Sequence, residues 1–243
     1  LSVVRPDGAP ESKDHMLGFW GTPDLAFAAQ HARHAWPNWS IITKSVQATM
    51  TSQAHPYHAM HKLDYLKGAR EAALEHGVAF IEESVHHDAS PSLVFDTRPP
   101  RAPEGAMLQH FAGMEVEVDR PVFDPQTAIL MDFRVDQSHG MHFMYVLPFS
   151  PTRALLESTM FSTSVMPHDY YKEAIESYLF KHHKVAIEQV ICEEQGVIPM
   201  GSLGLHDPAI PGLGANGGAI RPASGYTFAF IHQQIEEGIE RVK

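Results

Sequence analysis

The chain has 243 residues, 44% hydrophobic and 19% charged, which is typical of a folded globular protein and too apolar for a disordered one. Its 18 basic and 29 acidic side chains give a net charge of −11, which argues against a nucleic-acid partner. A single cysteine, Cys192, excludes an internal disulfide and favours a reducing, cytoplasmic compartment, and no apolar run reaches the roughly 18 residues of a membrane-spanning helix.

Strands and helices alternate over the first hundred residues. In chain order we predict a strand at 1–4, a helix at 23–34, a strand or hairpin at 40–51, a helix followed by a strand within 62–85, and a strand at 93–95. In the clearest unit, Asp64 is placed to cap a helix and Gly77 to end it in a left-handed conformation. The apolar residues of that helix recur on one face, at Leu66, Ala69, Ala73 and Leu74.

The pattern changes after residue 104. Four β segments at 111–118, 127–133, 141–147 and 153–161, separated by turn residues, predict an antiparallel sheet built from hairpins. A helix is expected at 169–183, and a cluster of glycines precedes an apolar run at 226–231. The predicted fold class is therefore an α/β frame that carries an α+β insertion with an antiparallel sheet.

Histidine and cysteine are the first candidates for chemistry. His55, His58 and His61 are spaced three apart, and His139 and His142 flank a turn, but neither a helical H-E-x-x-H nor paired cysteines occur, so no metal site is predicted. Apolar neighbours of Cys192 favour a buried thiol over a nucleophile.

Two other features allow more than one interpretation. The clustered glycines beside Arg221 let the backbone approach an anionic ligand, although such loops are also common connectors. Glu157 lies in an otherwise apolar strand. If its carboxyl is buried, it stays protonated and can act as a general acid; if it points outward from a one-sided sheet, it is an ordinary surface charge.

An ordered set of motifs resembles the flavin-dependent lycopene beta-cyclase family of carotenoid biosynthesis. The matching pieces are DHMLGFW at 14–20, VFDTRPP at 94–100, QHFAG at 109–113, MDFR at 131–134, FMYVLPFS at 143–150, LLEST at 155–159, EQGVIPM at 194–200 and GGAIRPASGY at 217–226. They spread over most of the chain in the order that the family shows.

The resemblance implies a fold, a division of the chain and a reaction. The fold is a partial FAD-binding, Rossmann-like domain joined to a substrate-binding β-sheet domain, as in flavin monooxygenases. Residues 1–103 and 191–243 are expected to belong to the FAD-binding region, and residues 104–190 to the substrate sheet and its helix. The implied reaction converts lycopene, a linear carotene, to beta-carotene by acid-initiated, redox-neutral ring closure, with reduced FAD as cofactor and NADPH as its reductant.

The resemblance also implies roles for single residues. Glu157 matches the acidic residue that the family requires, and is the implied catalytic acid. The implied cofactor-binding residues are Asp96, Arg98, Gly217, Gly218, Arg221, Pro222, Gly225 and Tyr226. Four aromatic rings are expected to face the carbocation in the substrate pocket, namely Phe143, Tyr145, Phe149 and Phe161. An apolar substrate further implies peripheral contact with a membrane.

One family element is missing from this sequence. The G-x-G-x-x-G turn that cradles the FAD pyrophosphate does not occur, and 1–4 resembles the second strand of that unit. We therefore expect that about thirty residues precede the first one given, that a C-terminal region follows, and that the chain as given binds FAD weakly. The alternatives are a flavin-dependent monooxygenase or reductase acting on an isoprenoid, and a non-catalytic carotenoid- or lipid-binding domain.

Overall fold

The computed structural model describes residues 1–82, 94–98, 102–201, 203–204 and 207–242. The strands in these ranges are β1 (Ser2–Arg5), β2 (Met16–Trp20), β3 (His34–Trp36), β4 (Asn38–Ile42), β5 (Gln47–Thr51), β6 (Tyr57–His61), β7 (Ala79–Glu82), β8 (Met107–Val118), β9 (Thr127–Asp132), β10 (Met141–Pro148), β11 (Arg153–Ser162) and β12 (Ile187–Met200). The α-helices there are α1 (Ala26–Gln30), α2 (Lys62–Glu75), α3 (His168–Tyr178) and α4 (Phe228–Val242).

Seven strands form a large sheet in the order β12-β8-β11-β10-β9-β4-β5. The four β segments predicted after residue 104 form its centre, and their pairing with one another is antiparallel as expected. The sheet is nevertheless mixed, because β4 runs parallel to β9. It also extends beyond the four predicted strands: β12 pairs with β8 on one side, and the hairpin β4–β5 pairs with β9 on the other, so that neither β8 nor β9 is an edge strand.

Helix α3 covers one face of the large sheet. Its apolar side packs through Ile175 and Tyr178 onto sheet residues that include Met144, Val146 and Leu156, all of which are essentially buried. The helix expected at 169–183 is thus present, and it closes with a π-helical turn at Leu179–His183. The spacing of its apolar residues follows the 3.6-residue period of a helix with one buried side.

A three-stranded sheet, β2-β6-β3, covers the opposite face of the large sheet. Trp36 and Tyr57 of this small sheet pack against Leu147 and Leu155 of the large one. The outer side of the small sheet is in turn covered by the first and last helical segments, whose Leu25 and Phe228 join its Phe19 and Met60. The central strands of the large sheet are therefore buried on both faces, which explains their near-continuous apolar sequences.

The strand predicted at 1–4 and the helix followed by a strand predicted within 62–85 are present as β1, α2 and β7. Strand β1 pairs in parallel with β7, and Gly77 has φ +76° after α2, as the sequence indicated. The prediction that Asp64 caps α2 is wrong: the cap residue is His61, without a side-chain hydrogen bond, and Asp64 lies in the first turn. No residue of α2 is buried in the described structure, so its predicted apolar face is only partly covered.

Three further expectations differ from the structure. The helix predicted at 23–34 consists of a 3-10 turn and the short α1, which ends at Gln30, because the chain must return to the small sheet as β3. Of the strand expected at 93–95, residue 93 lies outside the described residues, and Val94 and Phe95 are not in a strand. Cys192 is exposed rather than buried, since it lies on β12 at the edge of the large sheet.

The sheet boundaries do not coincide with the predicted division of the chain. Strand β12 crosses residue 190, and β4 and β5 of the first predicted region belong to the same sheet as β8–β11. The division at residues 103 and 190 remains a prediction. Within the described ranges, no helix combines the length and the apolar character needed to cross a bilayer.

Candidate active site

Four residues form one row across the large sheet. Glu194 on β12 pairs with Gly113 on β8, Gly113 pairs with Glu157 on β11, and Glu157 pairs with Tyr145 on β10. Directly opposed residues on neighbouring strands point to the same face of a sheet. That face is the one covered by the small sheet, so Glu157 does not project from an open, solvent-facing side.

Glu157 is held as a neutral acid at neutral pH. Burial raises its pKa to about 8, with the neighbouring Glu194 carboxyl contributing in the same direction. The Thr159 hydroxyl donates a hydrogen bond of 2.5 Å to Glu157 Oε1, which favours the ionised form but does not outweigh burial. The carboxyl is therefore protonated at the pH at which an exposed glutamate would be ionised.

Glu194 is the second carboxyl of the row and is only 9% exposed. The backbone N–H of Met16 on β2 donates to its Oε2 at 2.7 Å. No amide or hydroxyl among the described residues donates a hydrogen bond to its Oε1. The Glu194 side chain interacts with the neighbouring Glu157 carboxyl. Burial raises the pKa of Glu194 to about 7, against the effect of the Met16 N–H.

Gly113 makes the contact between the two carboxyls possible. A Cβ atom at this position would lie 3.0 Å from Glu194 Cγ and 3.2 Å from Glu194 Oε1. Even the methyl group of an alanine would therefore require the Glu194 side chain to move by a few tenths of an ångström, and a larger side chain would require more. An isolated glycine inside a strand often marks such a close approach.

A cavity of about 170 Å³ opens beside Glu157. Its wall includes Phe111 and three tyrosines from separate parts of the chain. These are Tyr57 on β6, Tyr145 on β10, and Tyr226 at the end of residues 213–226, here called the glycine-rich segment. Burial, together with the neighbouring phenols and Glu157, raises the pKa of Tyr57 and Tyr145 well above the usual value, so these hydroxyls stay neutral. The cavity wall thus combines aromatic rings and aliphatic side chains with a few polar groups, among them the protonated Glu157 carboxyl.

The glycine-rich segment reaches this cavity through Gly225 and Tyr226. Gly225 has φ +70°, and a Cβ there would collide with the Gln109 side chain, so both its conformation and its surroundings require glycine. The start of the segment is tied to Asp96, whose carbonyl accepts hydrogen bonds from Leu213 N and Asn216 Nδ2. The segment therefore links the end of the 94–98 stretch to the carboxyl row.

The other residues expected at the cofactor lie apart from the cavity wall. Arg98 makes two side-chain hydrogen bonds to the Asp96 carboxylate, of 2.6 and 2.9 Å. The Arg221 guanidinium stacks 3.7 Å from the centre of the Phe230 ring, and Pro222 is exposed. Gly217 and Gly218 end a 3-10 turn before the cavity-lining part of the segment.

The four predicted substrate-pocket rings are not all at one place. Tyr145 lines the cavity beside Glu157. Phe143 and Phe161 are buried in a neighbouring cluster on the same face, where Phe143 stands 5.4 Å from the ring of Tyr145. Phe149 lies elsewhere, under the guanidinium of Arg33 at 3.9 Å.

The histidines noted in the sequence have separate partners. His55 Nδ1 lies 2.9 Å from the Gly21 carbonyl, the His58 ring stacks on Phe19, and His61 Nδ1 lies 3.0 Å from Asp14. Among the residues that the structure describes, no three His, Cys, Asp or Glu side chains are grouped so that they could hold a metal ion.

Sequence reasoning missed Glu194, Gly113 and Tyr57 as parts of the site. Gly113 carried a usable signal, since glycine is disfavoured inside strands unless another group approaches closely. The strand pattern gave no such signal for Glu194, because its neighbour Glu193 is an equally plausible inward carboxylate until the register of β12 is known; the only sequence signal for Glu194 was its place at the start of the motif EQGVIPM.

The chain is similar in sequence and in fold to known proteins. The sequence model of the family described as lycopene cyclase protein matches residues 29–239. A lycopene beta-cyclase from Paracoccus sp. (strain N81106 / MBIC 01143) is 33% identical over 137 residues, which are 52% of this chain and 34% of that relative. The matched part therefore spans about a third of the relative's length.

Two solved structures share the fold. A geranylgeranyl bacteriochlorophyll reductase-like protein from Thermoplasma acidophilum superposes with a TM-score of 0.65 at 13% identity, covering 92% of this chain and 68% of that one. A flavin-dependent brominase superposes with a TM-score of 0.60 at 12% identity, covering 96% and 70%. At such identities the likeness concerns the fold alone, and it confirms the expected flavin monooxygenase-like architecture.

Proposed function

The chain belongs to the lycopene cyclase protein family, and from this premise we propose that it closes an end group of a linear carotene into a ring, with Glu157 as the acid. The observation that carries this proposal is the placement of Glu157: a carboxyl kept protonated by burial, on a covered sheet face, beside a cavity lined by aromatic rings. The related lycopene beta-cyclase supports lycopene as substrate and beta-carotene as product.

The reaction begins and ends with a proton. Glu157 transfers its proton to the terminal double bond of the carotene, which leaves a tertiary carbocation at the neighbouring carbon. A second double bond of the same end group attacks this carbon and closes the ring, and a proton leaves the ring to form the final double bond. One proton is taken up and one is released, so the conversion is an isomerisation without net oxidation or reduction.

The cavity suits one end of such a substrate. Its volume of about 170 Å³ is below the range of about 300–1,000 Å³ that is usual for pockets enclosing a whole small molecule, so it holds an end group and not the full polyene. Tyr145, Tyr226 and Phe111 line it and can present ring faces to the carbocation. The sequence also placed Phe143, Phe149 and Phe161 in the substrate pocket, but none of the three lines this cavity: Phe143 and Phe161 lie in the neighbouring cluster, and Phe149 lies under Arg33.

The glycine-rich segment has the properties expected of a flavin site. Gly218 has φ +85°, and a Cβ there would meet no atom within 4 Å, so the backbone is open to an approaching group. Asn216 Oδ1 is buried and lacks a hydrogen-bond partner among the described residues. We propose that FAD is held by Asp96, Arg98, Gly217, Gly218, Arg221, Pro222, Gly225 and Tyr226. When bound in its reduced form, with NADPH as reductant, FAD supplies electron density that stabilises the developing cation.

The membrane is the proposed source of the substrate, because a linear carotene partitions into the bilayer. Peripheral contact with a membrane surface is therefore part of the proposal. The fold shared with a flavin-dependent brominase keeps a flavin-dependent monooxygenase or reductase of an isoprenoid as the alternative enzyme, and such an enzyme would not need Glu157.

The test is Glu157→Gln in the protein, expressed in lycopene-accumulating cells. The amide keeps the shape of the side chain but cannot donate the proton, and general acid catalysis contributes on the order of 10²–10⁴ in rate, so β-ring formation should be nearly lost. Pigment analysis measures the rings, and flavin absorbance measures bound cofactor on the same protein.

The matched control is Glu193→Gln. This carboxylate is adjacent to Glu194 on the same strand but pairs with Lys172 at 2.7 Å near the surface, so its loss should leave ring formation unchanged. Near-normal ring formation by Glu157→Gln, with flavin still bound, would exclude the acid role. Bound flavin together with an oxidised or reduced isoprenoid product would favour the alternative enzyme, and bound carotenoid without flavin would favour a carrier.

A further inference from the structure

We propose that Glu194 is a positioning residue for Glu157: across Gly113 the two carboxyls form a pair that holds one shared proton, and the Met16 N–H keeps the negative charge on Glu194 and the proton on Glu157. This inference deepens the proposed function and rests on it for its catalytic meaning. The pairing itself is a property of the chain alone and can be tested without substrate.

The contact geometry carries the proposal. Glu194 and Glu157 oppose the same residue, Gly113, from either side, and the missing side chain of that residue leaves the space in which the carboxyls meet. Glu194 Oε1 is buried and has no donor among the described amides and hydroxyls. The Glu157 carboxyl interacts with the Glu194 side chain, and it can donate a hydrogen bond to Glu194 only when it carries a proton.

The two ends of the pair differ in their other partners. Glu194 Oε2 accepts the Met16 N–H at 2.7 Å, and a backbone donor of this kind stabilises the ionised form of a carboxyl. The Glu157 carboxyl instead receives the Thr159 hydroxyl, which can itself turn to accept a proton. The ionised member is therefore Glu194, and the proton-bearing member is Glu157, which faces the cavity.

The groups around the pair make it difficult for Glu157 to lose its proton while Glu194 is ionised. The titratable groups facing the pair are His15 and Asp14 before β2, Tyr57 on β6, Glu115 on β8, Tyr145 on β10 and Tyr226 in the glycine-rich segment. Asp14 and Glu115 both act to raise the pKa of Glu194, and the two nearby cations, Arg33 and Arg153, are engaged by Glu115. Two buried carboxylates in contact cannot both ionise at neutral pH without strong repulsion.

The pair gives the proposed reaction both its acid and its counter-charge. When Glu157 donates its proton, both carboxyls are ionised and together face a single positive charge in the cavity. The same repulsion that kept the proton on the pair then favours its return from the ring. Glu194 thus acts on the substrate through Glu157 and not by direct contact.

The test is an NMR titration of the 243-residue chain labelled with ¹³C at the glutamate side-chain carboxyls. In the unaltered chain we expect two coupled steps, with Glu157 losing its proton near pH 8. In Glu194→Gln the like charge is removed and the amide can donate to Glu157, so the Glu157 titration should move down by at least about one pH unit, a tenfold loss of proton affinity.

Two further variants separate contact from charge. Gly113→Ala keeps both carboxyls but puts a Cβ 3.0 Å from Glu194 Cγ, and should shift the Glu157 titration in the same direction. Glu194→Asp keeps the carboxyl and should restore a two-step titration. Glu193→Gln is the control that should leave the Glu157 titration unchanged, because its carboxylate pairs with Lys172.

A Glu157 titration that is ordinary in the unaltered chain, or that does not move in Glu194→Gln, would overturn the pair. This outcome is independent of the proposed function. If the pair is absent but Glu157 is essential, the acid role of Glu157 remains; if the pair is present but Glu157 is dispensable for ring formation, the acid role of Glu157 is overturned. In the active enzyme, the alkaline limb of the pH–rate profile of Glu194→Gln should also move to lower pH, which a merely structural role would not cause.

Discussion

Buried carboxylates of this protein are neutralised in different ways. Glu115, on the same strand as Gly113, accepts hydrogen bonds from Arg33 at 2.7 and 2.8 Å and from Arg153 at 2.5 Å. Burial alone would raise the pKa of Glu115, but the two guanidinium groups outweigh it and lower the pKa. Asp132 is stabilised in the same way by Arg134 and by the Tyr178 hydroxyl. The pKa values of Glu157 and Glu194 rise instead, because burial is not offset there by a neighbouring guanidinium group among the described residues.

Removing the charge of Glu115 tests its structural role. In Glu115→Gln, Arg33 and Arg153 lose a shared anion, and the free energy of unfolding should fall by about 2 kcal/mol, a value reduced because both arginines are partly exposed. Urea unfolding measures the change. Glu117→Gln, on the same strand, is the control and should change stability by less than about 0.5 kcal/mol. If Glu115→Gln and Glu117→Gln lowered the free energy of unfolding equally, the ion pairs of Glu115 with Arg33 and Arg153 would add nothing to stability.

At the scale of the element, the two covered faces of the large sheet differ in what they contain. The α3 face is an apolar core into which β9 turns one polar residue: a bulge between Ile129 and Asp132 places the Asp132 carboxylate under Tyr178. The opposite face carries the carboxyl row and the cavity. Because successive residues of β11 alternate between faces, Leu156 packs in the core under α3 while Glu157 lines the cavity on the opposite face.

The contribution of α3 can be measured with one truncation. Ile175 is fully buried between the helix and the sheet, so Ile175→Ala should lower the free energy of unfolding by about 2–5 kcal/mol. Glu176→Ala, at an exposed position of the same helix, is the control and should stay within about 0.5 kcal/mol of the unaltered chain. A loss below about 1 kcal/mol for Ile175→Ala, by thermal or urea unfolding, would mean that α3 docks only weakly.

For the whole molecule, the carboxyl pair couples stability to pH. A carboxyl whose pKa is raised from 4.5 to about 8 on folding binds more protons in the folded state, so its contribution is complete below pH 4.5 and is lost as pH rises through 8. Buried histidines such as His110 and His142 act in the opposite direction, because burial lowers their pKa and the unfolded chain binds more protons below its ordinary value. The net curve therefore mixes two opposed effects.

The contribution of Glu157 is obtained by comparing the pH dependence of the free energy of unfolding of the unaltered chain with that of Glu157→Gln. Since an amide does not titrate, the variant should lose less stability than the unaltered chain between about pH 5 and pH 8. The two free energies of unfolding should separate by about 1.4 kcal/mol for every tenfold gain in the proton affinity of Glu157 on folding. Urea unfolding at several pH values gives both curves. Parallel curves over this range would mean that Glu157 has an ordinary pKa in the folded protein.

Local patterns predicted much of the secondary structure. Period-2 alternation and turn residues located β8–β11, the 3.6-residue period located α3, and Gly77 marked the end of α2. Glu157 stood out because a charged residue inside an apolar strand needs an explanation. These features depend on neighbouring residues, whose influence on backbone conformation is short in range. Helix α1 and the cap of α2 were mispredicted because neighbouring strands of the small sheet set their limits: β3 follows α1 closely, and β6 runs directly into α2 at Lys62.

The site itself was decided by tertiary structure. Glu194 is 81 residues from Gly113, and Gly113 is 44 residues from Glu157, yet the register of three strands sets them in one row. A shift of a single residue in either register would turn a carboxyl to the opposite face, and no local pattern specifies the choice. The amino-acid sequence by itself determined that an acid lies in an apolar strand; strand register, and the glycine between the carboxyls, decided that this acid has a partner.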